Sequence, residues 1–170
     1  LPPLLDQIPP ELQALPQWVT WMAARPLDIK KSKPDKIPLN PRNGFPASTT
    51  NPRSWGSFQL ASAFYRSYVG APHTVRAGGT VRSGPICGVG FVLSPDDPFV
   101  GVDLDVCVGP DGIIAPWALE IIEQAVSYTE ISPSGTGVRI FLKGKLPSPG
   151  FRRDAAEVYQ SARYLTVTGR

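Results

Sequence analysis

Three observations predict an α+β fold for this chain of 170 residues. Its 20 prolines make long helices rare, because proline lacks the amide hydrogen that an internal helical turn requires. Short runs of β-branched and aromatic residues alternate with turns of proline, glycine and aspartate, a pattern typical of strands joined in hairpins. Only two segments carry apolar residues at the spacing of a substantial helix. Hairpins mixed with few helices favour an α+β layer fold over a doubly wound one.

The N-terminal half is predicted to hold a strand, two helices and two loops. In chain order we expect a short helix at 10–14, a strand at 17–22, a basic loop at 26–55, a helix at 55–68 and a glycine-rich surface loop at 69–86. The longer helix is indicated by Trp55, Phe58, Ala61 and Tyr65, which recur at helical spacing, with Ser54 as its N-cap.

The C-terminal half is predicted to be mostly strands. In order we expect strands at 88–93 and 99–106, a helix from 116, and strands at 127–131, 137–142, 157–159 and 164–168. The first two strands flank a turn rich in proline and aspartate, so a hairpin is expected there. Pro116 is well placed in the first turn of the helix.

Composition sets the broad class of the protein. The net charge of +3 and the pI of about 9.0 permit a polyanionic partner without requiring one. The two cysteines are too few and wrongly spaced for a zinc site. No apolar stretch is long enough for a membrane span, and the start of the chain lacks a secretory signal. We therefore expect an intracellular protein, with this chain a domain of a longer one.

Two acidic residues lie on one side of the predicted strand at 99–106. Side chains alternate along a strand, so Gly101, Asp103 and Asp105 point one way while Leu104 and the valines point the other. Two adjacent carboxylates repel each other, and a bound divalent cation removes that conflict. The pair is a candidate metal site; the alternative is an acidic strand end that faces water.

A second motif, Ser132-Pro-Ser-Gly-Thr-Gly-Val-Arg139, lies between two predicted strands. Its glycines allow backbone amides to turn outward and bind an anion, assisted by the hydroxyls of Ser134 and Thr136. Arg139 and Lys143 share one face of the following strand, where two cations suit a triphosphate. The alternative is an ordinary hairpin loop.

A third motif spans residues 157–169. Glu157 is a candidate third metal ligand, and the planar guanidinium of Arg163 is suited to binding phosphate oxygens in pairs. Thr166 and Thr168 share a strand face and offer hydroxyl donors. The alternative is a surface ion pair between Glu157 and Arg163.

Together the three motifs resemble the archaeo-eukaryotic primase superfamily, most closely the primase-polymerase domains of phages and plasmids. That family carries an acid-x-acid strand, here Asp103-Leu-Asp105, then a Ser- and Gly-rich turn leading to a basic residue, here Ser132 to Arg139. A third acid follows, matched by Glu157. The resemblance covers 88–170 well. It covers residues 18–60 more loosely, through Trp18, Lys36, Pro38 and Trp55.

The resemblance implies a fold and a domain organisation. Residues 88–170 would form a catalytic core with an RNA-recognition-like mixed β-sheet flanked by helices. Residues 1–87 would form a smaller N-terminal α/β lobe with template-side loops. A helicase domain would follow in the parent chain, and the isolated domain would be monomeric.

The resemblance also implies an activity, namely template-directed nucleotidyl transfer from (d)NTPs to a 3′-hydroxyl in phage DNA replication. Asp103, Asp105 and Glu157 would hold two Mg²⁺ or Mn²⁺ ions. The implied nucleotide-binding residues are Ser132, Ser134, Gly135, Gly137, Arg139, Lys143, Arg163 and Thr168. One residue departs from the family pattern, because Arg139 stands where the family usually has histidine. Arginine retains a positive charge for phosphate but cannot transfer a proton.

The basic loop is the candidate contact for single-stranded DNA template and primer. Its lysines are Lys30, Lys31, Lys33 and Lys36. Lysines near a nucleic-acid backbone supply the salt-dependent part of binding. A solvated lysine run is the alternative, and the tryptophans Trp18, Trp21 and Trp55 are either stacking platforms or core residues.

Two other functions are compatible with the motifs. A two-metal nuclease would also use three acids, although the serine-glycine turn followed by cations favours a triphosphate over a simple diester. An inactive module that binds single-stranded nucleic acid is the second alternative. Three acids on its working face would repel phosphate in the absence of metal, which argues against it.

Overall fold

The computed structural model of the chain describes residues 1–28, 30, 32–148 and 150–170. These residues form three α-helices and ten strands. The helices are α1 (Pro10–Gln13), α2 (Phe58–Tyr68) and α3 (Pro116–Ala125). The strands are β1 (Trp18–Ala24), β2 (Asp35–Leu39), β3 (Pro72–Ala77), β4 (Thr80–Leu93), β5 (Phe99–Leu104), β6 (Tyr128–Ile131), β7 (Val138–Lys143), β8 (Gly150–Arg153), β9 (Ala156–Tyr159) and β10 (Arg163–Val167). The expected α+β class is confirmed.

The first sheet contains the N-terminal strands together with the last strand of the chain. Its order is β10-β4-β1-β2, and β3 pairs with the early part of the long strand β4. Helix α2 packs on β1 and β4. The side chains of Trp18, Phe58 and Phe91 meet edge to face in the core beneath it.

The second sheet has the order β6-β7-β5-β9-β8, and all of its described pairs are antiparallel. An antiparallel sheet therefore replaces the mixed sheet expected from the resemblance. Strand β7 lies between β5 and β6, which α3 connects, so the segment is a split βαβ unit. Helix α3 covers an apolar face of the sheet formed by Val102, Leu104, Val138 and Ile140.

The opposite face of the second sheet packs against the first sheet. Phe99 and Phe141 meet Phe91 edge to face, so one apolar cluster spans both sheets. Gly101 makes this approach possible, because a Cβ atom there would lie 2.5 Å from a methyl carbon of Leu165. The close contact holds the end of β5 next to β10.

Strand β2 lies within the segment predicted to be a basic loop, so that prediction was wrong from 35 to 39. Ile37 and Leu39 are buried at alternate positions, and the strand pairs with β1 at the edge of the first sheet. Pro38 is compatible with an edge strand, where one missing amide hydrogen breaks no ladder. The proline suggested a loop because its partner strand could not be identified from local sequence.

Two further local predictions were wrong. Residues 72–85 form a hairpin of β3 and β4 rather than a surface loop. Helix α2 begins at Phe58 and is capped by Ser57, whose hydroxyl accepts a hydrogen bond from the Leu60 amide, so Ser54 is not its N-cap. The apolar spacing correctly predicted a helix here, but the helix begins three residues later than expected.

The predicted hairpin of 88–93 with 99–106 does not form, because β4 and β5 belong to different sheets. The turn between them is organised around the buried carboxylate of Asp97, which accepts hydrogen bonds from the Ser94 and Phe99 amides and from Gln17 Nε2. These bonds redirect the chain into the second sheet. The proposed division after residue 87 falls inside β4, and β1 pairs with β4 on both sides of it, at Ile86 and at Gly88.

No helix in the described part of the chain is long and apolar enough to cross a membrane.

Candidate active site

A row of charged residues crosses the second sheet, with one residue from each of its five strands. Successive direct neighbours in the register are Glu130, Arg139, Asp103, Glu157 and Arg152. Residues directly opposite each other on antiparallel strands project from the same face. We call this set the charged row. It brings together two of the three predicted catalytic acids, Asp103 and Glu157, which lie 54 positions apart in the numbering of the chain.

Two cavities adjoin the charged row, and Lys36, Asp103 and Arg139 line both of them. The first, of about 340 Å³, also contacts Glu157 and Arg163 and is called the Glu157 cavity. The second, of about 350 Å³, is called the Asp105 cavity; its other lining residues include Trp21, Lys33, Asp105, Ser132 and Ser134. Three separately predicted groups, the acids, the serine turn and the basic loop, therefore meet in one place.

Asp103 and Asp105 both line the Asp105 cavity, but they do not project from one strand as predicted. Strand β5 ends at Leu104, and Asp105 lies in the turn that follows, where its amide donates to the carbonyl of Ala155. Val106 has a positive φ of 53° and is 73% exposed, so the alternation predicted through it was wrong. The turn nonetheless leaves Asp105 exposed at the cavity that Asp103 lines.

Three cationic or hydroxyl groups surround the carboxylate of Glu157. Its Oε1 lies 3.0 Å from Nη1 of Arg152, and its Oε2 accepts a hydrogen bond from the hydroxyl of Tyr159 and lies 3.5 Å from Nη2 of Arg163. These partners compensate the repulsion that two opposed carboxylates, Asp103 and Glu157, would otherwise suffer. A metal ion at Glu157 would have to replace some of them.

Arg139 is buried and already bound. Its Nη1 donates hydrogen bonds to the carbonyl and the hydroxyl of Thr166, and its Nε lies 3.3 Å from Oδ1 of Asp103. The guanidinium therefore ties β7 to β10 and forms an ion pair with Asp103, although its buried Nε makes no hydrogen bond among the described residues. The residue predicted to bind nucleotide phosphate is engaged with protein groups on both sides.

Glu130 is a member of the row that the sequence did not indicate. Its buried Oε2 accepts hydrogen bonds from the Tyr128 hydroxyl at 2.7 Å and from the amides of Thr168 and Gly169 at 2.9 Å. Burial raises the pKa of this carboxyl group, while the three donors oppose the rise. An isolated glutamate in a short strand carries no sequence signal for this role, since the donors come from a distant segment.

The serine- and glycine-rich turn presents hydroxyl groups rather than an open ring of amides. The Ser132 amide donates to the Gly137 carbonyl and the Gly135 amide to the Ser132 carbonyl, so both are used within the turn. The hydroxyls of Ser132, Ser134 and Thr136 form a chain with separations of 3.0 and 2.9 Å. Gly137 is required by close packing, because a Cβ there would lie 2.6 Å from the Leu104 carbonyl oxygen.

The predicted DNA-binding lysines are not equivalent. Lys36 lies on β2 and lines both cavities, and Lys33 is exposed and lines the Asp105 cavity. Lys30 is exposed, with its amide bound to the Asp28 carboxylate, and it lines neither cavity. Lys31 lies outside the described residues.

The remaining predicted nucleotide ligands lie in varied surroundings. Lys143 is paired with an acidic residue of α1 at 2.6 Å, at the far end of β7, and lines neither cavity. Arg163 lies over the ring of Tyr159 and donates to its hydroxyl at 2.7 Å, at the edge of the Glu157 cavity. The hydroxyl of Thr168 donates to the Ile131 carbonyl at 2.6 Å.

No cluster of three acidic, histidine or cysteine side chains ready to hold a metal ion occurs among the described residues. Asp103 and Asp105 nevertheless line one cavity with serine hydroxyls close by. Mg²⁺ commonly binds through one or two carboxylates together with substrate phosphates, so this donor set fits such an ion. Glu157 is a register neighbour of Asp103 and is the nearest candidate for a third ligand.

Comparison with known proteins gives this arrangement a context. No family model matches the chain. The chain is 39% identical over 160 aligned residues to a protein of Nitratiruptor phage NrS-1 described as a DNA primase-polymerase. The match covers 90% of this chain but only 19% of that relative, so the chain spans about a fifth of its length. This similarity shows that the chain belongs to the primase-polymerase family.

Proposed function

We propose that this chain carries the nucleotidyl-transfer site of a primase-polymerase, which extends a DNA primer from (d)NTPs on a single-stranded template. The observation that carries the proposal is the Asp105 cavity, where two carboxylates, serine hydroxyls and the cations Lys33 and Lys36 meet. A triphosphate bound through a divalent ion needs acids and cations in one place. The similar phage protein bears the same activity in its name.

Asp103 and Asp105 are proposed to hold Mg²⁺ or Mn²⁺, with Glu157 as the third ligand. When bound, two such ions would supply the positive charge that favours ionisation of the primer 3′-hydroxyl and offsets charge on the departing pyrophosphate. The part of Arg139 is to fix the orientation of Asp103 through its Nε, while Thr166 anchors the guanidinium. A carboxylate held in this way loses little freedom when the substrate binds.

The protein groups around the acids are proposed to bind and orient the nucleotide. The hydroxyls of Ser132 and Ser134 are donors for phosphate oxygens at the Asp105 cavity. Arg163, at the edge of the Glu157 cavity, would bind the substrate by exchanging one of its present bonds to Tyr159 or Glu157. Such preorganised donors stabilise the charge that develops during transfer.

The proposed macromolecular partners are a single-stranded DNA template and a primer, with the exposed Lys30 and Lys33 nearest to the template backbone. A helicase segment elsewhere in the parent protein and a monomeric state for the isolated chain belong to the same proposal. The relative is much longer than this chain, which leaves room for such a segment.

Primer extension tests the proposal directly. We expect the chain to extend a labelled primer on a template with dNTPs and Mg²⁺ or Mn²⁺, and the double variant Asp103→Asn/Asp105→Asn to lose at least about 10³-fold in rate. Removal of both carboxylates takes away the ion site, and effects of this size follow loss of one charge-stabilising group. Rates are measured by gel analysis of timed extension products.

The matched control is Asp6→Asn, an exposed aspartate in the N-terminal turn far from both cavities. It should extend like the wild type, and all variants should show the same circular dichroism. A folded wild-type chain that cleaves the template instead of extending the primer would identify a nuclease. Retained extension by the double variant would contradict the assignment of the site.

A further inference from the structure

Lys36 is held in place by the backbone around it. It pairs with Ala23 in the β1–β2 ladder, and its carbonyl accepts a hydrogen bond from the Tyr164 hydroxyl at 2.8 Å. Its ammonium lies 5.9 Å from the centre of the Trp21 ring. The edge strand β2, the Tyr164 hydroxyl and the Trp21 ring together hold Lys36 where it lines both cavities.

The three arginines around the charged row all have anionic or hydroxyl partners. Arg139 contacts Asp103 and Thr166, Arg152 contacts Glu157, and Arg163 contacts Glu157 and Tyr159. Within the part of the chain that the structure describes, the Lys36 ammonium lies over the face of Trp21 and makes no hydrogen bond or ion pair within 4.0 Å, while Asp103 and Asp105 act on it from further away. A half-buried ammonium without a hydrogen bond has lost hydration that these more distant carboxylates replace only in part.

The electrostatic surroundings point in the same direction. Burial lowers the pKa of Lys36 to about 8, and Arg139 and Lys33 add to the decrease while Asp103 and Asp105 oppose it. The positive form of Lys36 is therefore less stable in the protein alone than it would be in water. An anion placed in the cavities would relieve that cost and gain a charge-assisted hydrogen bond.

We infer that Lys36 binds a phosphate group of the incoming nucleoside triphosphate, which makes it the principal phosphate ligand of this site in place of Arg139. The inference rests on the proposed function and deepens it. Both residues border the two cavities, but Arg139 is buried, bonded to Thr166 and paired with Asp103, whereas Lys36 is half-buried and has no ion pair within 4.0 Å among the described residues. Its recessed position beside the carboxylates suits a small substrate better than a DNA backbone, which the exposed lysines would meet first.

Calorimetric titration measures this role without relying on turnover. The 170-residue chain is titrated with dATP in the presence of Mn²⁺ and, in parallel, a labelled oligothymidylate is titrated and followed by fluorescence anisotropy. We expect Lys36→Met to weaken dATP binding by about tenfold or more, because the charge-assisted hydrogen bond to the phosphate is lost. Lys36→Arg keeps the charge and should retain most of the affinity.

The matched control is Lys145→Met, the same change at an exposed lysine whose Nζ donates to the Pro95 carbonyl at 3.4 Å and which lines neither cavity. It should bind dATP like the wild type. Thermal unfolding of each variant shows whether a loss of binding comes from loss of fold. If Lys36→Met proves unstable, Lys36→Gln replaces it, because the amide retains a polar end without the charge.

The outcomes separate the inference from the proposed function. A wild-type chain that binds dATP and extends a primer, with Lys36→Met binding dATP equally well, overturns the inference alone. Weaker oligothymidylate binding with unchanged dATP binding also overturns it, and assigns Lys36 to the DNA backbone. A folded wild-type chain that neither binds dATP nor extends a primer overturns both proposals.

Discussion

The two ends of the charged row contain the same kinds of residue but differ in their surroundings. At the inner end, Glu130 is 1% exposed and Arg139 is 4% exposed. At the outer end, the side chains of Asp103 and Glu157 are 20% and 12% exposed and line cavities. The inner carboxylate binds backbone amides of the chain, whereas the outer carboxylates face a space that a substrate can enter.

This contrast shows that residue type alone does not identify which acids of the charged row are available for catalysis. Glu130 Oε2 accepts bonds from one tyrosine hydroxyl and two amides, which join β6 to the segment after β10. Asp103 has one described ionic partner, Arg139, and an open side. A carboxylate whose partners are all protein groups contributes to stability, and one that borders a cavity is available for chemistry.

The largest effect that tests this difference between the two ends of the charged row is expected for substitution of Glu130. Glu130→Ala should lower the free energy of unfolding by about 3 kcal/mol, because it leaves buried amides without an acceptor and creates a cavity. Asp103→Asn should change it by less than about 1 kcal/mol, because that side chain borders solvent-filled space. Urea denaturation followed by tryptophan fluorescence measures both.

Glu130→Gln is the control for the first substitution, since its amide oxygen can still accept from the Thr168 and Gly169 amides. It should keep most of the stability that Glu130→Ala loses. Equal losses for Glu130→Ala and Asp103→Asn would show that the two ends of the row do not differ in the way described.

A second effect, of about tenfold, is expected in the pH dependence of triphosphate binding. The pKa of Lys36 is lowered to about 8, so the free chain loses the ammonium proton as the pH rises through that value. The charged form falls from about nine tenths at pH 7 to about one tenth at pH 9. Since the anion needs the charged form, affinity for dATP should fall about tenfold over this interval.

Besides burial, Arg139 and Lys33 lower the pKa of Lys36, and Asp103 and Asp105 raise it. Lys36→Arg supplies the comparison, because arginine remains charged throughout the interval. Its binding curve should be flat between pH 7 and 9 by calorimetry. A wild-type curve that is equally flat would show that the Lys36 ammonium does not contact the phosphate.

The smallest effect is expected at Lys33, an exposed residue at the mouth of the Asp105 cavity. Lys33→Ala should weaken binding of single-stranded DNA by about two- to threefold at moderate salt. It should also reduce the slope of log affinity against log salt by about 0.7, the value for one phosphate contact on a single strand. Anisotropy titrations over a range of salt concentrations measure both quantities.

Lys145→Ala removes the same charge at an exposed position that lines neither cavity, and it serves as the control. An unchanged salt slope for Lys33→Ala would remove this lysine from the template path. The outer end of the charged row would then bind the nucleotide but not the DNA template.

Several features of the fold followed from local sequence. The β-branched runs predicted strands β1, β5, β6 and β7 to within a few residues, and the helical spacing predicted α2 and α3. The strand β2 and the hairpin of β3 and β4 were missed, because proline and glycine within them indicate loops when the partner strand is unknown.

The sequence predicted which kinds of residue form the candidate site, but it predicted only some of the residues themselves. Asp103, Asp105 and the serine turn stood out, because two adjacent acids and a glycine-rich turn are local patterns. Lys36 was predicted as one of four similar lysines in a loop, and only its place on β2 distinguishes it. Glu130 was missed, because its donors lie 38 and 39 positions further along the chain.

The sequence by itself determined the α+β class, the acid-x-acid strand and the family to which the chain belongs. The tertiary structure decided which cation faces which acid and which cations near the site have no ion pair with the described residues. The reason is physical: charges interact through distances in space, and the strand register sets those distances. The bond from Tyr164 to the Lys36 carbonyl joins positions 128 residues apart, and no local pattern specifies such a contact.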